Sequence, residues 1–312
     1  MKKLILIDGN AILHRAFHAL PPLTNKDGMI VNAVYGFFSM FLKILEAQKP
    51  EFIVVCFDKK APTFRKELFV GYQARRPKMS EDLVPQIKFV HDILKQAKIE
   101  IFEVDGYEAD DLIGTISVQA IAGKLNGEID VYIVSGDRDL LQLVNHHVKM
   151  IAPVTGLTNM IIFDEEKVFQ KYGIKPSQMV DYKALVGDAS DNYPGVAGIG
   201  PKTASTLINE YGNLEGIYKN LEEIKIKNPN LALKLAKDAE AAGLAQKLAG
   251  VVLDAPVALN IEKAKIERLD REGLIREFEK FGFKSLLKRV SSKPKPELTG
   301  EPKKTSEQME LL

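Results

Sequence analysis

The stretch EIFEVDGYEADDLIG, Glu100 to Gly114, passes from a strand-like run into a helix whose first turn holds Glu108, Asp110 and Asp111. Apolar residues continue behind those acids at helical spacing. One or two acids in a first turn suit the positive end of a helix, at about 0.3–1 kcal/mol each. Three crowded carboxylates repel one another unless a cation sits among them. Other runs of the same strand type are LILID (Leu4–Asp8), FIVVCFD (Phe52–Asp58) and VYIVSGD (Val131–Asp137). Between them, VNAVYGFFSMFLKILEA and EDLVPQIKFVHDILKQA repeat apolar residues at helical spacing. Strand–helix alternation of this kind predicts an α/β fold, a parallel sheet flanked by helices.

From about Asp164 the pattern turns helical, with EEKVFQKYG, MVDYKALVG, PKTASTLINEYG and GLIREFEKFGF among its segments. The expected division is an α/β region over 1–165, an all-α region over 166–290 and a tail over 291–312. The tail, SSKPKPELTGEPKKTSEQMELL, has no apolar period and is expected to be disordered.

The 312 residues are 46% hydrophobic and 27% charged, with 43 basic and 42 acidic side chains and a net charge of +1. That balance neither demands nor excludes an anionic partner, so the distribution of charge decides. The single cysteine, Cys56, lies in an apolar run and reads as a small core residue in a reducing compartment. The apolar part of MKKLILI is too short for a signal peptide, and no stretch approaches a membrane span. A cytoplasmic, nucleoid-associated monomer is expected. His14, His18, His91, His146 and His147 show no ligand spacing.

Three strand runs end in an acid, Asp8, Asp58 and Asp137, with Asp139 just after the last. Parallel strands gather their carboxyl ends on one edge, where ligands bind in open α/β sheets. The segment GDASDN adds Asp188 and Asp191. With that loop folded over the edge, Asp8, Asp58, Glu108, Asp110, Asp111, Asp137, Asp139, Asp188 and Asp191 converge. Their repulsion in a partly dry cleft demands metal. Oxygen ligands without His or Cys suit Mg²⁺ or Mn²⁺. Two such ions about 4 Å apart serve phosphodiester hydrolysis. Taken singly, each acid reads as well as a turn residue or helix cap; the shared edge favours a metal centre.

Two further features point at an anion. KKAPTFRKELFVGYQARRPK, Lys59 to Lys78, sets seven basic residues against Glu67 alone and interleaves Phe64, Phe69 and Tyr72. Cations that track phosphate and rings that stack on bases make a single-strand channel, whereas a solvated face normally mixes signs. In PGVAGIGPKTASTLI, Pro194 to Ile208, Gly198 and Gly200 allow a tight hairpin between helices, and Pro201 suits a first helical position. Free N–H groups there, with Lys202 and Thr203, form a phosphate seat that holds duplex without reading its sequence.

The motifs LILIDGNAILHRAFHALPPL, VYGFFSMFLKIL, VCFDKKAPTFRKEL, YEADDLIGT, SGDRDLLQLV, YKALVGDASDN and PGVAGIGPKTA occur in this order. Together, over about residues 2–290, the chain resembles the 5′→3′ exonuclease domains of bacterial DNA polymerase I, in the flap endonuclease family. The resemblance implies a PIN-like domain with a helical arch at about 59–80, then a helix–three-turn–helix DNA-binding region. It implies that the nine acids bind two or more metal ions, with Asp8, Asp58, Asp110, Asp111, Asp137 and Arg76 catalytic. Arg15, Arg65, Tyr72, Gln73, Arg75 and Arg76 are implied to meet DNA, as are Gly198, Gly200, Lys202 and Thr203, with K⁺ on the hairpin carbonyls. One departure stands out: where the family often has lysine in a Y-K-x-x-R motif, this chain has Gln73 in Tyr72-Gln73-Ala74-Arg75-Arg76.

The activity implied is Mg²⁺-dependent hydrolysis of RNA primers and 5′ flaps in replication and repair, on flap, nicked or gapped DNA and RNA-primer hybrids. Both exonuclease and endonuclease action fit. A PIN-type RNA-cleaving nuclease and a non-catalytic DNA-binding accessory are the competing readings; the arch and hairpin weigh against the first, the full acid set against the second. The expected form is a nuclease without an attached polymerase, working beside a separate one. The end of the tail, Gln308-Met309-Glu310-Leu311-Leu312, resembles the sliding-clamp docking motif of bacterial replication proteins. There Gln308 would bond at one small pocket while Met309, Leu311 and Leu312 present apolar surface.

Overall fold

The computed structural model describes residues 1–123, 128–157 and 159–291. The four expected runs form β1 (Lys2–Asp8), β2 (Phe52–Cys56), β3 (Glu100–Phe102) and β4 (Ile129–Val134). Two more strands follow, β5 (Val148–Thr155) and β6 (Asn159–Phe163). All six make one sheet of order β3-β2-β1-β4-β5-β6. β1 to β5 pair in parallel, and β6 closes the edge antiparallel to β5. The edge hairpin escapes a reading by apolar runs because β5 carries Pro153 and a register shift beside it. Proline is tolerated in strands at such irregular edges.

Helices cover both faces. They are α1 (Gly9–Ala19), α2 (Asn32–Gln48), α3 (Phe64–Leu68), α4 (Val84–Gln96) and α5 (Ala109–Ala122). Alternate strand residues point to opposite faces. Leu4, Leu6, Val54, Cys56, Val131 and Ile133 share one core with Leu112 and Ile116 of α5. Ile5, Ile7, Ile53 and Val55 share the other with Phe37, Phe38 and Phe41 of α2 and Ile93 of α4. Burial on both faces is why these strands read as continuous apolar runs.

The chain then becomes helical, through α6 (Glu165–Tyr172), α7 (Met179–Val186), α8 (Pro201–Tyr211), α9 (Leu214–Lys219), α10 (Leu221–Lys227), α11 (Pro229–Lys237) and α12 (Ala239–Ala249). The last two helices, α13 (Arg271–Phe281) and α14 (Lys284–Ser291), do not stay with that group. The Phe278 ring meets Phe38 of α2 edge-on at 5.4 Å, and the Tyr35 and Ser285 hydroxyls lie 2.8 Å apart. On the way, the Ala264 carbonyl accepts the Ile53 N–H of β2 at 2.8 Å. The expected helical region over 166–290 therefore sends its final segment back onto the sheet domain. No helix among the described residues is long and apolar enough to cross a membrane.

The sheet order reverses direction across β1 and β4, the switch point at which open α/β sheets bind ligands. The expected arch at 59–80 contains only the five-residue α3, followed by turns, and it folds down over that edge.

Candidate metal centre and nucleic-acid cleft

Asp8 ends β1 and caps α1. Its carboxylate accepts the Ala11 N–H at 2.9 Å and the Ser135 hydroxyl at 2.6 Å. Gly9 has to be glycine, because a Cβ there would lie 2.3 Å from the Phe57 ring. Asp58 follows β2 and accepts the Ala109 N–H at 2.6 Å, tying that strand to the start of α5. Glu108 caps α5 and accepts from Thr63 Oγ1 at 3.0 Å and the Tyr72 hydroxyl at 3.1 Å. Asp110 lies in the first turn of that helix and lines the same cleft as Asp8, Asp58 and Asp137. Past β4, the Ser135 hydroxyl accepts the Asp137 N–H, and Asp137 accepts the Asp139 N–H, both at 2.9 Å.

A second group completes the edge. Single carboxylate oxygens of Asp139, Asp188 and Asp191 lie within 4.8 Å of one another. The Lys183 ammonium, on α7, pairs with Asp139 and with Asp188, the latter at 2.6 Å. Arg76 donates to Asp191.

The electrostatics differ between the two groups. Burial, then the Asp58 charge, pushes the Asp8 carboxyl up to about 7. Asp58 keeps a solvent-facing edge, yet the crowded cleft strips water from around it and its pKa also rises. Asp110 is raised well above the usual carboxylate range by burial and by Asp137, Asp8 and Asp58. Burial raises Asp137 as well, against the pull of Lys183 and Arg76. At Asp188, burial is outweighed by the Lys183 ammonium and the Ser190 hydroxyl, and the pKa sits at about 2. At Asp188 the chain's own cation thus outweighs burial, whereas at Asp191 burial still raises the pKa against the pull of Arg76. Asp8, Asp58 and Asp110 have no ion-pair partner among the described residues. An all-oxygen donor set whose members hold each other's pKa high fits hard divalent cations, which reverse that effect when bound.

Three expected site residues are engaged by partners within the protein. Asp111 is fully buried and turned away from the cleft. Its oxygens accept two hydrogen bonds from Arg65 at 2.8 Å, the Val252 N–H at 2.9 Å and the Glu108 N–H at 3.1 Å. Both of its oxygens are thereby engaged within the protein. Arg65, expected on phosphate, is buried with it and also donates to the Leu248 and Gly250 carbonyls. It staples the base of the arch segment to the end of α12. Tyr72 is only 3% exposed and bonds Glu108 and Asp191, so its ring packs inside instead of offering a face to bases.

The remaining expected residues face open space. Arg15, Gln73, Arg75 and Arg76 line the cleft that holds the acids. Arg15 is held over it by the Val154 and Gly156 carbonyls. The Gln73 N–H donates to the Asp191 carbonyl at 2.8 Å, with φ at +55°. Gly198 adopts φ +76° in the hairpin before α8, and its carbonyl accepts from Lys234 at 3.2 Å. Gly200 caps α8, and Lys202 and Thr203 occupy its first turn. Lys183 is the residue a sequence reading misses. Its signal is a lysine five positions before Asp188, which otherwise looks like any solvated helical lysine.

A strand-end acid cluster beside a helical hairpin can be compared with known proteins. The model of the 5′-3′ exonuclease N-terminal resolvase-like domain matches residues 3–173, and that of the 5′-3′ exonuclease C-terminal SAM fold matches 174–272. The chain belongs to the 5′-3′ exonuclease family. A 5′-3′ exonuclease of Aquifex aeolicus is 39% identical over 291 residues, covering 93% of this exonuclease and 96% of that protein. DNA polymerase I of Caldicellulosiruptor bescii is 41% identical over 290 residues, 92% of this chain but 33% of that one. The exonuclease spans about a third of the length of the polymerases it matches. The fold is also that of a bacteriophage T5 flap endonuclease variant, solved with DNA and metal ions, at TM-score 0.64 and 17% identity over 93% of this chain and 97% of that one. Human GEN1, solved with Holliday junction DNA, matches at TM-score 0.61 and 14% identity over 92% of this chain and 71% of that one.

Proposed function

We propose that this chain is a Mg²⁺- or Mn²⁺-dependent, structure-specific 5′ nuclease that cleaves 5′ flaps and RNA primers in replication and repair. The observation that carries the reading is the placement of Asp8, Asp58, Asp110 and Asp137 at the sheet's switch point, with raised pKa values and no cation paired to the first three. Those acids, with Asp139, Asp188 and Asp191, would hold divalent ions, which would supply Lewis acidity at the phosphate and to a water. Glu108 adds a further carboxylate near enough to Asp58 to feel its charge.

The chain's own residues would do the rest. Arg76 and Lys183 sit among the acids and would meet the scissile phosphate or hold the carboxylates apart. The basic face of 59–78 would track single strand, and the hairpin at Gly198–Thr203 would hold duplex. A K⁺ ion at that hairpin would compete with the Lys234 ammonium, which already bonds the Gly198 carbonyl. Gln308, Met309, Leu311 and Leu312 lie outside the described residues. A clamp contact through them would raise the nuclease's effective concentration at flaps without a new DNA contact. A separate polymerase would then fill the gap.

The test is cleavage of a labelled 5′-flap duplex. Release of the flap with Mg²⁺ and none with EDTA is expected. Cleavage of single-stranded RNA alone would point to the PIN-type reading, and tight binding without cleavage to an accessory role.

A further inference from the structure

The cleft that holds the acids is also lined by residues of the β5–β6 hairpin and by two further cations. Arg138, between Asp137 and Asp139 in sequence, and Lys171, in the last turn of α6, are both exposed and both line the cleft. Neither has a carboxylate within ion-pair distance among the described residues, and Asp137 feels Arg138 less than it feels Lys183, Arg76 or Asp188. Local burial first, then the Arg138 charge, lowers the Lys171 pKa.

Two like charges left together on an otherwise mixed surface cost free energy unless an anion joins them. Lys171 is moreover held in place. Its ammonium lies 5.0 Å from the Phe163 ring centroid and 5.5 Å from that of Tyr172, where the ring faces attract it. Tyr172 is itself fixed edge-on against Tyr182 at 5.9 Å. Ala152 of β5 and Ile161 of β6, which pair across that hairpin, line the same cleft and add apolar surface to it. Cations and apolar surface in one cleft suit a sugar–phosphate strand. Guanidinium next to ammonium suits phosphate more than a planar ring or a neutral ligand.

We infer that Arg138 and Lys171 form a seat for a backbone phosphate of the nucleic-acid substrate, separate from the metal-bound phosphate, the arch and the α8 hairpin. This rests on the nuclease reading. The seat holds the strand in register, so that the neighbouring phosphodiester lies against the acids. It reads no base.

The experiment measures binding of a labelled 5′-flap duplex in EDTA across a salt series, with melting curves as a folding control. Arg138→Gln and Lys171→Gln should each weaken binding severalfold and flatten the salt slope by about 0.9, one phosphate's worth of released counterions. The double variant should lose about twice that slope, and Lys171→Arg should restore it. A methylphosphonate scan along the strands should find one position where wild type weakens and the double variant does not weaken further. A double variant that melts, binds and titrates with salt like wild type overturns the seat and leaves the nuclease reading intact. A wild type that neither binds nor cleaves the flap duplex overturns both.

Discussion

Arg65 and Asp111 face each other through two parallel hydrogen bonds of 2.8 Å in a place almost closed to water. Asp111 is expected to be catalytic and Arg65 to meet DNA, yet the pair links the base of the arch to α5 and, through Val252, to the chain beyond α12. Breaking a buried pair strands an unpartnered charge, which costs about 3–5 kcal/mol. Arg65→Ala and Asp111→Ala should each lower the unfolding free energy, read from denaturant titrations, by that scale. Where Asp111→Asn still folds, it should bind Mn²⁺ as wild type does, because it supplies no ligand. Metal affinity lost in Asp111→Asn with unchanged stability would return Asp111 to the metal centre.

The acids of the first group should behave in the opposite way. Asp110→Asn or Asp137→Asn should abolish flap cleavage while DNA binding in EDTA survives. Each removes a carboxylate from a cluster that repels itself, so metal-free stability should hold or rise. The thermal stabilisation that wild type gains on adding Mn²⁺, by mass action, should shrink. Near wild-type turnover in Asp110→Asn would exclude it from the centre.

Protonation gives a test that needs no substrate. Burial and Asp58 raise the Asp8 carboxyl from 3.8 to about 7, so between those values the folded chain keeps a proton that the unfolded chain has released. The native state then binds more protons than the unfolded one, and stability falls as pH rises through that window. Asp58, Asp110 and Asp137 shift in the same direction. Asp188 works oppositely: its value of about 2 lies below 3.8, so its contribution is present above 3.8 and lost as pH falls toward 2. In EDTA the melting temperature should be higher at pH 5 than at pH 8, and Mg²⁺ should narrow the difference. Asp8→Asn should flatten it. A metal-free melting temperature that climbs steadily from pH 5 to pH 8 would contradict this account.

Arg76 and Gln73 test the departure from the lysine motif. Arg76 carries the charge next to Asp191, whereas Gln73 contributes its backbone N–H. Positive charge beside a phosphate acts most strongly as negative charge develops there. Arg76→Ala should cost at least tenfold in cleavage rate, about 1.4 kcal/mol, and Gln73→Lys should be tolerated or modestly faster. An unaffected Arg76→Ala would remove it from the reaction.

The strand-end acids were legible because each closes a β-branched run, and parallel pairing then brings Asp8, Asp58 and Asp137 to one edge. Asp111 was not legible. In the sequence it is one of three acids in a turn, and what separates it from Asp110 is an Arg65 46 residues upstream and a Val252 N–H 141 residues downstream. The return of α13 and α14 is hidden for the same reason: their helical period is plain, but the Phe38 that Phe278 packs against lies far back in the chain, in α2. The β5–β6 hairpin was hidden locally, since Pro153 and the register shift beside it break the strand pattern.

The hairpin before α8 contains two glycines with different demands, and they separate folding from binding. Gly198 has φ +76°, a left-handed conformation that a side chain adopts only under strain, so the fold itself favours glycine there. Gly200 has φ −99° and ψ −179°, extended backbone open to any residue, and a Cβ there would meet nothing within 4 Å. Nothing inside the protein requires it. Replacing such a glycine by alanine typically stabilises by about 0.4–1 kcal/mol through the unfolded chain. A glycine kept at an open helix start fits close approach of a backbone from outside, and Lys202 in that first turn runs against the helix dipole unless an anion is its partner. Gly200→Ala should therefore melt at or above the wild-type temperature, and Gly200→Val near it. Both should bind duplex-containing substrate more weakly, alike for every sequence. Lys202→Ala should weaken the same binding and flatten its salt slope by about 0.9. If Gly200→Val binds duplex as wild type does, and Lys202→Ala leaves the slope unchanged, the hairpin is a packing turn and the duplex lies elsewhere.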